Sequence, residues 1–314
     1  MTPPGAAEPS ADRVLLDTSS LMYRAFFSMP ASVKDRSGNA VNALHGYLDM
    51  TARLTGSRKP REVVHVYDAD WRPAPRVALY AGYKANRAVD PEGLPEQFDF
   101  LRELLDAIGA SQAEAPAWEA EDAIGSLIGT GAAPRKDAGR TDIVSGDRDL
   151  IQLVRDPHVR LLFTIKGVSQ LLELDEAGVQ EKYGVPADRY AEFAILRGDP
   201  SDGLPGLRGV GEKTARALIS AYQSLEEMVA DSRSGSPERR PVKGSPHLRA
   251  RISESADYIS TMQEVVTIRR DLEVREWAPE PEPERADALA ESHRVTSPLK
   301  RLRAAEKQAR EEGS

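Results

Sequence analysis

The sequence predicts an α/β fold, a central and mostly parallel sheet with helices on both faces, and three observations predict it. Short apolar runs ending near an acid recur at 13–17 (RVLLD), 62–68 (EVVHVYD) and 141–145 (TDIVS). Amphipathic stretches at about 40–55, 95–108 and 119–130 lie between them, as parallel strands require, because each crossover must carry the chain back to the same end. Two more strands are expected at 159–163 and 170–174, after which the pattern is helical from 176 to about 231.

Each element has a local reason. The first run closes on Asp17 and meets Thr18, Ser19 and Ser20, hydroxyls suited to a strand-to-helix junction. The third runs into Gly146, Asp147, Arg148 and Asp149. A break at 232–246 (SRSGSPERRPVKGSP) reads as a surface loop, 250–262 as one helix and 265–274 as a strand or extended segment. From 278 the PEPEPER run and the KRLRAAEKQAREE end read as a charged tail carrying a late helix at 297–311. The chain shows no internal repeat.

Composition narrows the chemistry. The 314 residues carry 42 Lys and Arg against 50 Asp and Glu, a formal charge of −8, and no Cys, which excludes disulfides, thiolate zinc sites and cysteine nucleophiles. Residues 1–12 (MTPPGAAEPSAD) have no basic start and no apolar stretch and are expected to be a disordered extension. With no long apolar run, the expectation is a cytoplasmic protein without a membrane partner. Histidines 45, 65, 158, 247 and 293 match no zinc spacing.

An acidic balance argues against a polyanion binder only if the acids are dispersed. Nine stand at strand ends, helix starts or a Gly/Pro loop: Asp17, Asp68, Glu119, Glu121, Asp122, Asp147, Asp149, Asp199 and Asp202, and together they account for the whole negative excess. Ligands of parallel sheets gather at the carboxyl ends of strands, and convergent carboxylates repel unless cations neutralise them. Hard divalent ions, Mg²⁺ or Mn²⁺, are the natural partners. Ordinary cap and turn acids are the alternative for any one of them.

Two decoys fit less well. Asp68-Ala69-Asp70 superficially matches a phosphatase acid pair, but Trp71 and the acids elsewhere do not suit it. Gly206, Gly211, Lys213 and Thr214 approach a nucleotide-binding loop, with Glu212 inserted and no apolar strand leading in. Basic groups are placed more tellingly. Tyr80, Lys84 and Arg87 would share one face at helical spacing, suiting a phosphate clamp beside a stacking ring, or else a solvated surface helix. Residues 206–219 read as two helical pieces separated by Gly209, Val210 and Gly211, where backbone amides and a helix start could approach phosphates.

The strings LLDTSSLMYRAFF, VYDADWRPAPR, GYKANR, WEAEDAIG, VSGDRDLIQLV and LRGDPSDGLPGLRGVGEKTA, in this order, resemble bacterial 5′ nucleases, the flap endonuclease family that includes the 5′ nuclease domain of DNA polymerase I. The resemblance covers about 13–231. It implies a PIN-like 5′ nuclease core at 13–175 with a helical arch at about 72–94. A helix-three-turn-helix region with a returning segment would follow at 176–277, then the tail at 278–314. No polymerase module follows, so a stand-alone, monomeric bacterial member, nucleoid-associated by function, is expected.

The nine acids would then hold two or more Mg²⁺ or Mn²⁺ ions, with Asp147 and Asp149 central to catalysis, and the helix-three-turn-helix would hold K⁺. Lys84 and Arg87 would contact the scissile phosphate, Tyr83 would stack near the terminal base, Tyr80 would lie beside it and Arg76 would hold the 5′ strand. Arg208, Gly209, Gly211, Lys213, Thr214 and Arg216 would grip duplex backbone. Implied substrates are DNA 5′ flaps, nicks and recessed 5′ ends, and RNA primers, in replication and repair. The alternative is a branched-DNA binder that kept the fold without cleavage. Glu121 stands where relatives usually have Asp, Gly203 replaces a usual Asn, and Pro75 replaces a usual Phe.

Overall fold

The computed structural model describes residues 11–129 and 139–312. Among them, β1 (Arg13–Asp17), β2 (Glu62–Tyr67), β3 (Ser111–Glu114), β4 (Thr141–Ser145), β5 (Val159–Lys166), β6 (Gln170–Leu174) and β7 (Arg275–Trp277) form one sheet in the order β6-β5-β4-β1-β2-β3-β7. The five central strands run parallel, and β6 and β7 close the two edges antiparallel. β1 is the first strand laid down, with β2 on one side and β4 on the other, so its carboxyl end is the topological switch point where such sheets bind ligands.

Strand alternation sets the layers. Val14, Leu16, Val144 and Leu162 point to one face, where α1 (Thr18–Ser28), α2 (Asn42–Arg58) and a later helix supply Leu21, Leu44, Leu48 and Leu101. Leu15, Val64, Val66, Ile143 and Leu161 point to the other, against Ile124 and a core continuous with the helical region. Each such side chain contributes about 1.5–3 kcal/mol by leaving water. A one-residue slip in any central strand would exchange the two sets.

The crossover after β2 contains α3 (Ala74–Leu79), a turn-rich segment and α4 (Leu94–Ile108), and α5 (Ala120–Ile128) links β3 to β4. Beyond β6 come α6 (Glu176–Tyr183), α7 (Tyr190–Arg197), α8 (Glu212–Ala221), α9 (Leu225–Arg233), α10 (Pro246–Glu254) and α11 (Ala256–Val266), then β7, α12 (Pro283–Ser292) and α13 (Thr296–Glu312). No helix among the described residues is long and apolar enough to cross a membrane.

Several expectations need correction. Ala11 is buried and the Asp12 backbone bonds to Arg61, Glu62 and Arg140, so the fold begins before residue 13, while 1–10 lie outside the described residues. Residues 278–312 are not a tail, and the late helix expected at 297–311 is present as α13. In α13, Leu299, Leu302 and Ala309 are buried against the α2 layer, an apolar stripe at helical spacing hidden among charges, and Ala286 and Ala290 bury α12. The single helix at 250–262 is two, parted at Ser255, and of the strand or extended segment expected at 265–274, residues 265–266 close α11, 267–274 form no strand and β7 begins just beyond. Residues 81–86 are turns, with Lys84 in the left-handed region, and Tyr80 is extended, so Tyr80, Lys84 and Arg87 do not share a helix face. Residues 206–211 are likewise non-helical. Pro205 and left-handed Gly206 and Gly209 forbid a helix there, and the helix preceding α8 is α7.

Candidate active site

Strand ends and helix starts deliver the acids to one place. Asp17 ends β1 and caps α1, accepting from Ser20 N–H at 3.1 Å, while its other oxygen accepts from Ser145 Oγ at 2.6 Å. Asp68 follows β2 and accepts from the Ala120 N–H at 2.9 Å, so an acid from a neighbouring strand caps α5. Asp147 accepts from the Asp149 N–H at 2.9 Å, and the Ser145 hydroxyl receives the Asp147 N–H at 2.9 Å. Asp199 accepts from Ser201 N–H at 3.0 Å in the turn that carries Asp202.

Two carboxylate groups result. Glu119, Glu121 and Asp122 offer oxygens within 4.8 Å of one another, and so do Glu121, Asp147 and Asp149, with Glu121 common to both. Asp17 feels the same field. Burial, then Asp68, pushes the Asp17 carboxyl up to about 7. Burial and then Glu121 push Glu119 up to about 8 and Asp147 up to about 6, and burial carries Asp122 to about 6 against the pull of Arg76. Asp149 is raised well above the usual carboxylate range by burial and then by Asp147, Glu121, Asp202 and Asp199. An all-oxygen donor set under mutual repulsion fits hard divalent cations, and the fit rests on the donor set itself.

Cations from the segment after β2 meet these acids. Lys84 donates to Glu119, Tyr83 Oη donates to Glu119 at 2.6 Å, and Arg87 lies 3.4 Å from Asp202. The segment is fixed to the Asp202 turn by the Lys84 N–H on the Asp202 carbonyl at 3.0 Å and by Tyr80 Oη on the Gly203 carbonyl at 3.1 Å. Tyr83 and Arg76 were expected to face a strand. Both are 2% exposed, Tyr83 held by its bond to Glu119 and Arg76 by three carboxylates.

Farther away, Arg208, Gly209, Gly211 and Lys213 are exposed around the turn into α8, with Thr214 and Arg216 half-buried and Arg216 3.2 Å from Glu212. Sequence reading missed another face. Arg24 Nη2 lies against Gly146, and with Ser20, Tyr23, Phe27, Ile165 and Lys166 it lines a shallow cavity of about 510 Å³ in which Phe27 is 72% exposed. The signal was present in YRAFF, where the second Phe falls on the half-buried face of Ser20, Tyr23 and Arg24, away from the buried Leu21, Met22 and Ala25.

Carboxylates collected at the switch point of a parallel sheet, with cations beside them and an exposed basic turn on a helical extension, define a metal-dependent nuclease. The family described as 5'-3' exonuclease, N-terminal resolvase-like domain, matches residues 12–184, and its C-terminal SAM fold matches 185–287. A Streptomyces coelicolor 5'-3' exonuclease is 39% identical over 303 residues, covering 93% of this chain and 94% of that protein. Mycobacterium bovis DNA polymerase I is 42% identical over 231 residues, 71% of this chain and 25% of that one. The solved T5 5'-exonuclease with bound zinc has the same fold, with a TM-score of 0.61 at 16% identity over 95% of this chain and 98% of that one. The chain belongs to the 5'-3' exonuclease family.

Proposed function

We propose that this member is a structure-specific 5′ nuclease that hydrolyses DNA phosphodiesters at 5′ flaps, nicks and recessed 5′ ends, with Mg²⁺ or Mn²⁺ as the working ion and RNA primers as further substrates. The observation that carries the reading is the pair of carboxylate groups joined through Glu121 beneath Lys84 and Arg87. Bound there, hard divalent ions would supply Lewis acidity and charge compensation at a phosphodiester.

The chain's own residues do the rest. Ser20 and Ser145 fix the Asp17 carboxylate, and the Asp149 amide fixes that of Asp147, so the acids are oriented before a substrate arrives. Lys84 and Arg87 bring positive charge to where phosphate charge builds, and no protein nucleophile is required. Arg208, Lys213 and Arg216 suit duplex backbone without reading bases, and carbonyls of the 206–211 turn are where K⁺ would sit. Phe27 and Ile165, flanked by Arg24 and Lys166, offer an apolar platform with phosphate-binding edges.

The test is a 5′-labelled flap incubated with Mg²⁺, with Mn²⁺ and with chelator, beside Asp149→Asn. Short products that vanish with chelator and with the substitution, while flap binding in Ca²⁺ persists, are expected. Cleavage by Asp149→Asn at the wild-type rate would remove the metal assignment, and binding without any product would favour the non-cleaving binder.

A further inference from the structure

Arg76 occupies a place that phosphate contact does not explain. Its guanidinium is 2% exposed. Nη1 donates to Glu119 and, at 3.0 Å, to Glu121, and Nη2 donates to Asp122 at 2.7 Å. The ring faces of Tyr83 and Trp118 lie 5.6 and 5.7 Å from its central carbon, so swinging it toward a strand would sacrifice three charge-assisted bonds and two ring contacts together. Glu119 and Asp122 are 2% and 0% exposed, and Asp122 Oδ1 also accepts the Arg269 N–H at 2.9 Å. A hydrated ion approaching Asp122 would therefore have to displace a fixed charge.

We propose that Arg76 is the resident cation of the metal centre and a positioning residue, rather than a DNA contact. It neutralises Asp122, shares Glu119 with Lys84 and holds one oxygen of Glu121, leaving the divalent ions to Asp17, Asp68, Asp147, Asp149, Asp199, Asp202 and the remainder of Glu121. The proposal rests on the nuclease reading above and divides its acids into two sets. Asp122 Oδ2 is buried without a hydrogen-bond partner, and it is the acceptor that an additional ion would take if the guanidinium were removed.

The experiment counts Mn²⁺ ions on the DNA-free full chain by electron paramagnetic resonance, for wild type, Arg76→Met and Arg76→Lys, and measures flap binding in Ca²⁺. Arg76→Met should bind at least one more Mn²⁺ and depend more on Mn²⁺ for its melting temperature. Its flap affinity should stay within about threefold of wild type, and Arg76→Lys should restore the wild-type count. An unchanged count with a loss of about tenfold or more in flap affinity would make Arg76 a strand contact and overturn the proposal. Should Arg76→Met fail to fold, the triple variant with Glu119→Gln and Asp122→Asn removes the buried charges together. A count equal to wild type supports the division of acids, and a lower count refutes it. Failure of the wild-type chain to cut a flap is a separate result that strikes the nuclease reading and leaves the Mn²⁺ counts interpretable.

Discussion

Glu121 belongs to both carboxylate groups while one of its oxygens meets Arg76 at 3.0 Å, a span that suits the longer acid at this position. His65, three residues before Asp68, shows the opposite use of a buried polar group. It is 2% exposed, its Nδ1 lies 2.6 Å from the Tyr47 hydroxyl, and burial pushes it down from 6.5 to about 3. The unfolded chain therefore binds a proton that the folded chain refuses. Stability is complete above about 6.5 and declines as pH falls through the window toward 3. Between pH 7 and 5, wild type should lose about 2 kcal/mol more than His65→Gln in urea titrations, and parallel losses would remove the assignment. At this scale the acids were legible because strand-end position predicts convergence. Arg76 and Tyr83 were not. Their motif reads as basic and aromatic surface, and only the fold reveals that three acids from the start of α5 lie opposite.

At the scale of elements, the segment after α3 is held by the Asp202 turn rather than by helical periodicity. A Cβ on Gly203 would lie 2.3 Å from the Gly82 carbonyl oxygen, and Gly203 has φ +75°, so alanine is refused both by the approach and by the backbone. Gly203→Ala should destabilise the chain by about 1–3 kcal/mol in urea and increase protease cutting near residues 80–90. Wild-type stability in both assays would show that the contact is dispensable. This also explains why a helix face was expected at 80–87. Alternating Tyr and basic residues carry no trace of a turn about 120 residues downstream in the chain, whereas β1, β2 and β4 announce themselves through local apolar runs.

At the scale of the whole molecule, α13 covers α2 with Leu299 and Leu302 beneath Arg301, which reaches Asp49 at 2.6 Å. The acids lie at strand ends, away from this layer. Leu302→Ala should cost about 2–5 kcal/mol in denaturant and leave cleavage per folded molecule unchanged. A matching loss of turnover would tie the layer to the chemistry.

The path of the chain ties the two family segments together. The second segment supplies β7, which pairs with β3 of the first through Gln112, Ala113 and Glu114. A protein cut between them would bare a ribbon of unclaimed amides and carbonyls at the sheet's margin, an invitation to stick to its own kind. Dissection into separately purified halves would thus produce clumping before it produced any information about catalysis.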